Sequence, residues 1–76
     1  MRSQPSQIRA EMVANVLSVD VAVGDSVAAG DAVLLLESMK MEIPVLVEVT
    51  GAVRAVKVAA GDVVQEGDVL VELLVD

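Results

Sequence analysis

The 76-residue chain contains no cysteine, no histidine and no aromatic residue. It therefore lacks thiolate nucleophiles, imidazole bases, disulfides and the usual transition-metal ligands. Serine and threonine without histidine offer no recognisable pair of nucleophile and base. The carboxylates lack the D-x-D-x-D-G spacing of a calcium loop and are interpreted as solvated side chains. We expect neither a catalytic residue nor a metal site, so the chain is not expected to be an enzyme.

Positive charge is scarce: five Lys and Arg residues oppose twelve Asp and Glu residues, for a net charge of −7. This balance disfavours a phosphate backbone as partner, and without aromatic residues there is no platform on which bases could stack. Long hydrophobic runs are missing too, and residues 1–7 have no apolar core of a signal peptide. We expect no nucleic-acid partner, no membrane partner and a cytoplasmic location.

Small aliphatic residues are what the chain has in abundance, since its hydrophobic fraction is 55% without any aromatic residue. Valine, the β-branched residue that dominates this set, favours pleated strands. A chain of this length forms a single domain near the lower size limit for a self-sufficient core. The composition predicts an all-β domain over residues 8–76, preceded by a flexible tail over residues 1–7.

An internal repeat organises the chain. A shift of 37 residues superposes the pattern V-x-V-x-x-G-D-x-V-x-x-G-D that begins at Val19 onto a copy that begins at Val56. Each Gly-Asp pair predicts a turn, because Gly accepts positive φ and Asp can bond the backbone two residues on. Two halves of about four short strands each must pack together to bury their apolar faces. The expected fold is a sandwich or flattened barrel with pseudo-twofold symmetry.

Alternation within the predicted strands indicates which side chains are buried. Under the 37-residue shift Glu37 and Glu72 fall on the same face of their strands, and both are expected to face solvent. The side chains expected to point inward beside them are Leu34, Leu36, Val71 and Leu73.

The segment that joins the halves, residues 41–49, alternates as a half-buried strand. Its apolar face would hold Ile43, Val45, Val47 and Val49. Pro44 has no backbone N–H and must therefore lie where the ladder needs no donor, such as a sheet edge.

Two details of the repeat predict local irregularity. Val16 and Val53 are out of phase with the valines that follow them, which requires a bulge or bend early in each half. Ala14 aligns with Gly51, and if that backbone position needs positive φ, Ala14 is strained by about 1 kcal/mol.

Lys40 lies between the two halves, in the segment E-S-M-K-M-E that spans residues 37–42. Its place between two strands predicts a tight hairpin turn with the lysine side chain in water. Methionine usually fills gaps in a core, so Met39 and Met41 beside an exposed lysine are unusual. From the residue pattern alone, they are either partly buried neighbours of a turn lysine or an exposed recognition surface.

The motif E-S-M-K-M closely resembles the acceptor motif of biotinyl domains. The flanking V-G-D-x-V-x-x-G-D, E-I-P-V and second G-D-x-V-x-x-G-D segments are similar as well, and the resemblance covers residues 8–75. It is greatest to the short, free-standing carriers of the biotin/lipoyl attachment family. That family's fold is a flattened barrel (barrel-sandwich hybrid) of two four-stranded sheets, with the lysine hairpin opposite the chain termini. Lipoyl domains usually carry Asp before the lysine and a small residue after it, so Met39 and Met41 favour biotin.

The resemblance implies roles for individual residues. Lys40 would be the amide attachment point of covalent biotin, and Met39 and Met41 would be flanking recognition residues. Glu37 and Ser38 would complete the motif. Lys57, the other lysine, is expected in mid-strand, where its backbone cannot enter a deep cleft.

The implied function is that of a non-catalytic carrier. A biotin protein ligase would modify Lys40, and the chain would shuttle carboxybiotin from a biotin carboxylase to a carboxyltransferase that acts on an acyl-CoA. A lipoyl-type carrier and an unmodified β-sandwich interaction module are the alternatives.

Overall fold

The computed structural model describes residues 4–75, and these form eight strands without a helix. Among these residues there is accordingly no helix with the length and apolarity to cross a membrane. The strands are β1 (Gln4–Arg9), β2 (Ala14–Val19), β3 (Ser26–Val27), β4 (Ala32–Ser38), β5 (Met41–Leu46), β6 (Gly51–Val56), β7 (Val63–Val64) and β8 (Val69–Val75).

The strands form two four-stranded antiparallel sheets, in the orders β1-β8-β6-β3 and β5-β4-β2-β7. Strands β5 to β8 repeat β1 to β4 at the 37-residue offset, and the shift interchanges the two sheets. Each sheet thus contains strands from both halves, so neither half closes the core alone. The predicted all-β fold of two four-stranded sheets with pseudo-twofold symmetry is confirmed.

Four turns carry the Gly-Asp pairs, and their glycines all have φ between 92° and 96°. At the first turn the Asp25 carboxylate accepts a hydrogen bond from the backbone N–H of Ala22 at 2.8 Å. The Asp25 N–H donates to the Ala22 carbonyl at 3.1 Å, which closes the turn a second time. The turns are confirmed, but the aspartate bonds three residues back rather than two residues on. This direction follows from its place at the end of the turn instead of its start.

The core lies between the sheets and consists of small aliphatic side chains. The predicted inward set is confirmed, since Leu34, Leu36, Val71 and Leu73 are all buried. Glu37 and Glu72 lie on the outer faces but are half-buried rather than freely exposed. The reason is that β4 and β8 each run between two neighbouring strands, whose side chains cover part of each glutamate.

The predicted irregularities occur where the pattern placed them. Register shifts fall between Val16 and Ser18 in β2 and between Val53 and Ala55 in β6. Pro44 lies on β5, which is an edge strand as predicted.

The strand predicted over residues 41–49 ends early. After Leu46 the chain leaves the ladder of β4, and Val47 instead exchanges backbone hydrogen bonds with the turn at Gly30 and Asp31. Val47 is buried as predicted, but the prediction was wrong for Val49, which is 42% exposed.

The first strand begins at Gln4, before the domain start predicted at residue 8. Residues 4–7, expected in the flexible tail, pair with β8 from Gln4 opposite Val75 onward. Their sequence shows no apolar alternation because the backbone ladder, rather than side-chain burial, holds them. Residues 1–3 of the predicted tail lie outside the described residues.

Gly51 is required for space and not for conformation. Neither Gly51 nor Ala14 has positive φ, so the strain considered for Ala14 does not arise. A Cβ on Gly51 would lie 2.5 Å from the carbonyl oxygen of Leu74 in the neighbouring strand. The glycine therefore permits the close approach of β6 to β8.

Gly51→Ala is expected to lower the free energy of unfolding by about 1 to 3 kcal/mol, because two paired backbones must move apart to admit the methyl group. Urea denaturation measures the change. Gly24→Ala is the control, since its added methyl meets nothing within 4 Å and carries only the penalty of its φ of 96°. Equal stability of Gly51→Ala and the wild-type chain would contradict the close approach.

Candidate functional site

A hairpin between β4 and β5 carries Lys40 at its tip. Ser38 and Met41 are the last paired residues, so the turn consists of Met39 and Lys40 alone. Their φ angles are 53° and 64°, as in a type I′ turn, the two-residue turn that matches the twist of antiparallel strands. The predicted tight hairpin with an exposed lysine is confirmed.

The turn is built from residues that do not favour it. Type I′ turns normally use Asn-Gly, and a non-glycine residue in the left-handed region loses roughly 1 to 2 kcal/mol. Met39 and Lys40 are the only non-glycine residues with positive φ among residues 4–75. The ladder on both sides enforces this conformation, and such retained strain is typical of functional sites. The tip of the hairpin is therefore a defined structure and not a loose loop.

Ser38 anchors the base of the hairpin. Its hydroxyl donates a hydrogen bond of 3.2 Å to the carbonyl oxygen of Val13, in the connection between β1 and β2. Ser38 belongs to the E-S-M-K-M motif, but no feature of the sequence indicates Val13 as its partner. The Val13 side chain is 62% exposed. One valine in a valine-rich chain does not stand out in the sequence as part of a site.

The two methionines project into solvent. Met39 is 92% exposed and Met41 is 63% exposed, so the interpretation of partly buried neighbours applies to neither. Side chains exposed to this extent contribute little to the stability of the fold. Their role in recognition remains a prediction.

Two carboxylates lie at the base of the hairpin. Glu37 and Glu42 are directly opposite in the register of β4 and β5. Like charges in cross-strand positions disfavour the pairing. Their presence beside Lys40 is thus not explained by the stability of the sheet.

Lys57 occupies a different setting from Lys40. The prediction that Lys57 lies in mid-strand was wrong, because β6 ends at Val56, directly before it. Its backbone N–H still donates to the Leu70 carbonyl at 2.9 Å, so the chain remains flat against β8. The Lys57 side chain is exposed, but its backbone does not protrude.

Within residues 4–75 no group of three or more Asp or Glu side chains is arranged to hold a metal ion.

Met39→Ala and Met41→Ala are each expected to change the free energy of unfolding by less than about 0.5 kcal/mol, because both side chains are exposed. Each should nevertheless slow covalent modification of the hairpin. Thermal unfolding and the rate of modification measure the two effects. A loss of several kcal/mol in either variant would contradict the recognition role and indicate a packing role instead.

Comparison with known proteins defines the class of this fold and site. The family model described as "Biotin-requiring enzyme", which represents biotin/lipoyl attachment domains, matches residues 4–73. The chain belongs to this family. It is a biotin carrier domain, and its cofactor is covalently bound biotin.

Two short relatives are similar to the chain. A protein of Mycobacterium leprae described as "Biotinylated protein TB7.3 homolog" is 59% identical over 49 residues, which cover 64% of this chain and 69% of that protein. The Bacillus subtilis "Biotin/lipoyl attachment protein" is 47% identical over 63 residues, which cover 83% and 86%. Against the Mycobacterium tuberculosis protein TB7.3, the matched region spans about half of either chain, 51% and 55%.

Solved structures with the same fold belong to much larger proteins. A single-chain, multi-domain long-chain acyl-CoA carboxylase superposes with a TM-score of 0.89 at 28% identity, over 95% of this chain and 7% of that one. The urea carboxylase of Kluyveromyces lactis superposes with a TM-score of 0.85 at 31% identity, over 92% and 6%.

Proposed function

We propose that Lys40 is the residue that carries biotin, through an amide between its Nζ atom and the biotin carboxyl group. The observation that carries this proposal is the hairpin, which presents an exposed lysine on a two-residue turn held by paired strands on both sides. The only other lysine is Lys57, whose backbone N–H donates to the Leu70 carbonyl and so holds the chain against β8. An enzyme cleft can surround the first lysine and not the second.

The modifying enzyme in this proposal is a biotin protein ligase that presents biotinyl-adenylate. The deprotonated Nζ attacks the activated carboxyl carbon, the amide bond forms, AMP leaves, and the ligase takes up the proton lost from nitrogen. The chain supplies position: a pre-formed hairpin loses little conformational entropy when it enters the ligase. Met39 and Met41 provide apolar contact on either side of the amine, and this pair is the reason to favour biotin over lipoate.

After modification the chain acts as a carrier without catalytic activity, in the cytoplasm, between a biotin carboxylase and a carboxyltransferase. Bound biotin supplies a ureido nitrogen that accepts and releases a carboxyl group. The hairpin tethers that group, which replaces free diffusion by a high effective concentration at each active site. The similarity to a long-chain acyl-CoA carboxylase supports an acyl-CoA as the final acceptor.

The intact mass of the chain after incubation with biotin, ATP and a biotin protein ligase tests the attachment. We expect the mass of the chain to increase by the mass of one biotin minus that of one water molecule, because an amide bond forms. No addition under these conditions, or addition of lipoate in cells that supply both cofactors, would overturn it. Affinity capture of the biotinylated chain tests the acceptor: subunits of an acyl-CoA carboxylase should co-purify, and subunits specific for urea or pyruvate would contradict this part.

A further inference from the structure

The outer face of the sheet that bears the hairpin is apolar beyond the acidic pair. Leu35 and Pro44 are directly opposite in the register of β4 and β5, and Leu46 ends β5 with 51% exposure. Leu17 lies in the bulge of β2, next to the residue that pairs with Leu35, and is 38% exposed. We call this surface the leucine face: Leu17, Leu35, Pro44 and Leu46.

The pseudo-twofold symmetry provides an internal comparison for this surface. The equivalent positions on the outer face of the other sheet are occupied by Arg54, Glu72, Gln7 and Arg9. The backbone setting is the same there: Gln7 pairs with Glu72, and Arg54 lies in the equivalent bulge. Three of these side chains bond one another, since Gln7 donates to Glu72 at 3.4 Å and Arg9 donates to Gln7.

The fold itself therefore does not require leucine at these positions. Two copies of one backbone arrangement accept charged or polar residues in one sheet and apolar residues in the other. Exposed apolar area loses the stabilisation that burial would give it, and contiguous apolar patches on a protein surface commonly mark interaction sites. Within residues 4–75, the sheet with the leucine face is the one whose hairpin carries Lys40.

Charge distinguishes the two sheets as well. Glu37 and Glu42 form the row between the hairpin and the leucine face, and their equivalents in the other sheet are Leu74 and Pro5. A second copy of this chain would bring its own acidic row against this one. A partner with an apolar centre and basic residues beside it would match both features.

We infer that the leucine face and its acidic row are the docking surface for the enzyme that modifies Lys40. This inference rests on the proposed attachment at Lys40. An unmodified lysine is a short arm, so the enzyme that acylates it must approach the hairpin within one side-chain length. Leu35 and Pro44 lie roughly 13 Å along the strands from the tip, and Leu46 lies roughly 20 Å from it. A standard interface buries about 800 Å² on each partner, which is wide enough to include these rows.

The double variant Leu17→Gln/Leu46→Gln tests the inference, because it removes exposed apolar side chains and adds no charge. Its matched control is Arg54→Gln/Arg9→Gln, which changes the equivalent positions of the other sheet. Biotin incorporation is followed by mass with biotin, ATP and a biotin protein ligase. We expect kcat/KM of the leucine-face variant to fall about tenfold or more, through KM, while the control stays within about twofold of the wild-type chain. Thermal unfolding establishes that both variants are folded.

A competition experiment measures docking without acylation of the variant itself, through its inhibition of wild-type labelling. Lys40→Arg cannot be acylated but retains the leucine face, and it should inhibit labelling of the wild-type chain. Adding Leu46→Gln to this competitor should weaken the inhibition severalfold. If the wild-type chain is labelled and the leucine-face variants are labelled and compete equally well, the docking surface is refuted while the attachment site stands. If the wild-type chain is not labelled at all, the attachment site itself is refuted.

Discussion

Lys40→Arg is expected to abolish biotinylation completely, from one biotin per chain to none. The substitution keeps the positive charge and a side chain of similar length on the hairpin. A guanidinium is a poor acyl acceptor because it remains protonated and its nitrogen lone pairs are delocalised. The exposed turn should hold Arg as well as it holds Lys. Loss of labelling therefore reports on acylation and not on charge or folding. Intact mass after incubation with biotin, ATP and a biotin protein ligase is the measurement.

Lys57→Arg is the matched control, since it removes the only other lysine and should leave labelling unchanged. The comparison separates position from reactivity, because both lysines are exposed primary amines. An adenylate that reacted with any accessible amine would label both. Labelling of folded Lys40→Arg at Lys57 under the same conditions would show that the hairpin does not determine the site.

Leu73→Ala is expected to lower the free energy of unfolding by about 2 to 5 kcal/mol. Leu73 is 1% exposed on β8, which runs between β1 and β6, so its truncation removes packing contacts from the core and leaves a cavity that its neighbours fill only in part. Within the core no aromatic side chain is available to take over the lost contacts. Because a small domain is stabilised by only about 5 to 15 kcal/mol, the variant would lose a large share of its stability.

Urea denaturation measures this loss, and Leu46→Ala is its control. Leu46 is the same residue type on β5 with 51% of its surface exposed, so its truncation should change the free energy of unfolding by less than about 1 kcal/mol. Equal effects of the two substitutions would mean that the alternation of buried and exposed positions has no energetic consequence. Since Leu46 also belongs to the leucine face, its variants can affect docking while the fold remains intact.

Much of the architecture follows from local pattern. The repeat that starts at Val19 and Val56 predicts both the turns and the two-half organisation, because each Gly-Asp pair has a conformational reason to be a turn. Alternation identifies Leu36 and Leu73 as buried, because a strand of period two presents only one face to the core. The position of Lys40 between two strands predicts its exposure on a hairpin.

Other features depend on contacts between distant segments and leave no local signal. Gln4 to Gln7 have no apolar alternation, yet they form a strand because β8 supplies backbone partners. Gly51 is a glycine because of the Leu74 carbonyl in a neighbouring strand, not because of its own backbone angles.

The difference between the features that the sequence predicts and those that it does not has a physical basis. Turn conformations and strand faces arise from interactions within a few residues, and the sequence alone determined them, together with the acceptor motif around Lys40. The pairing of Ser38 with Val13, the start of the first strand and the contrast between the leucine face and its polar counterpart arise only when the two halves interlock. Tertiary structure decided these, because each depends on which sheet a residue joins, and that is a property of strand order and not of local sequence.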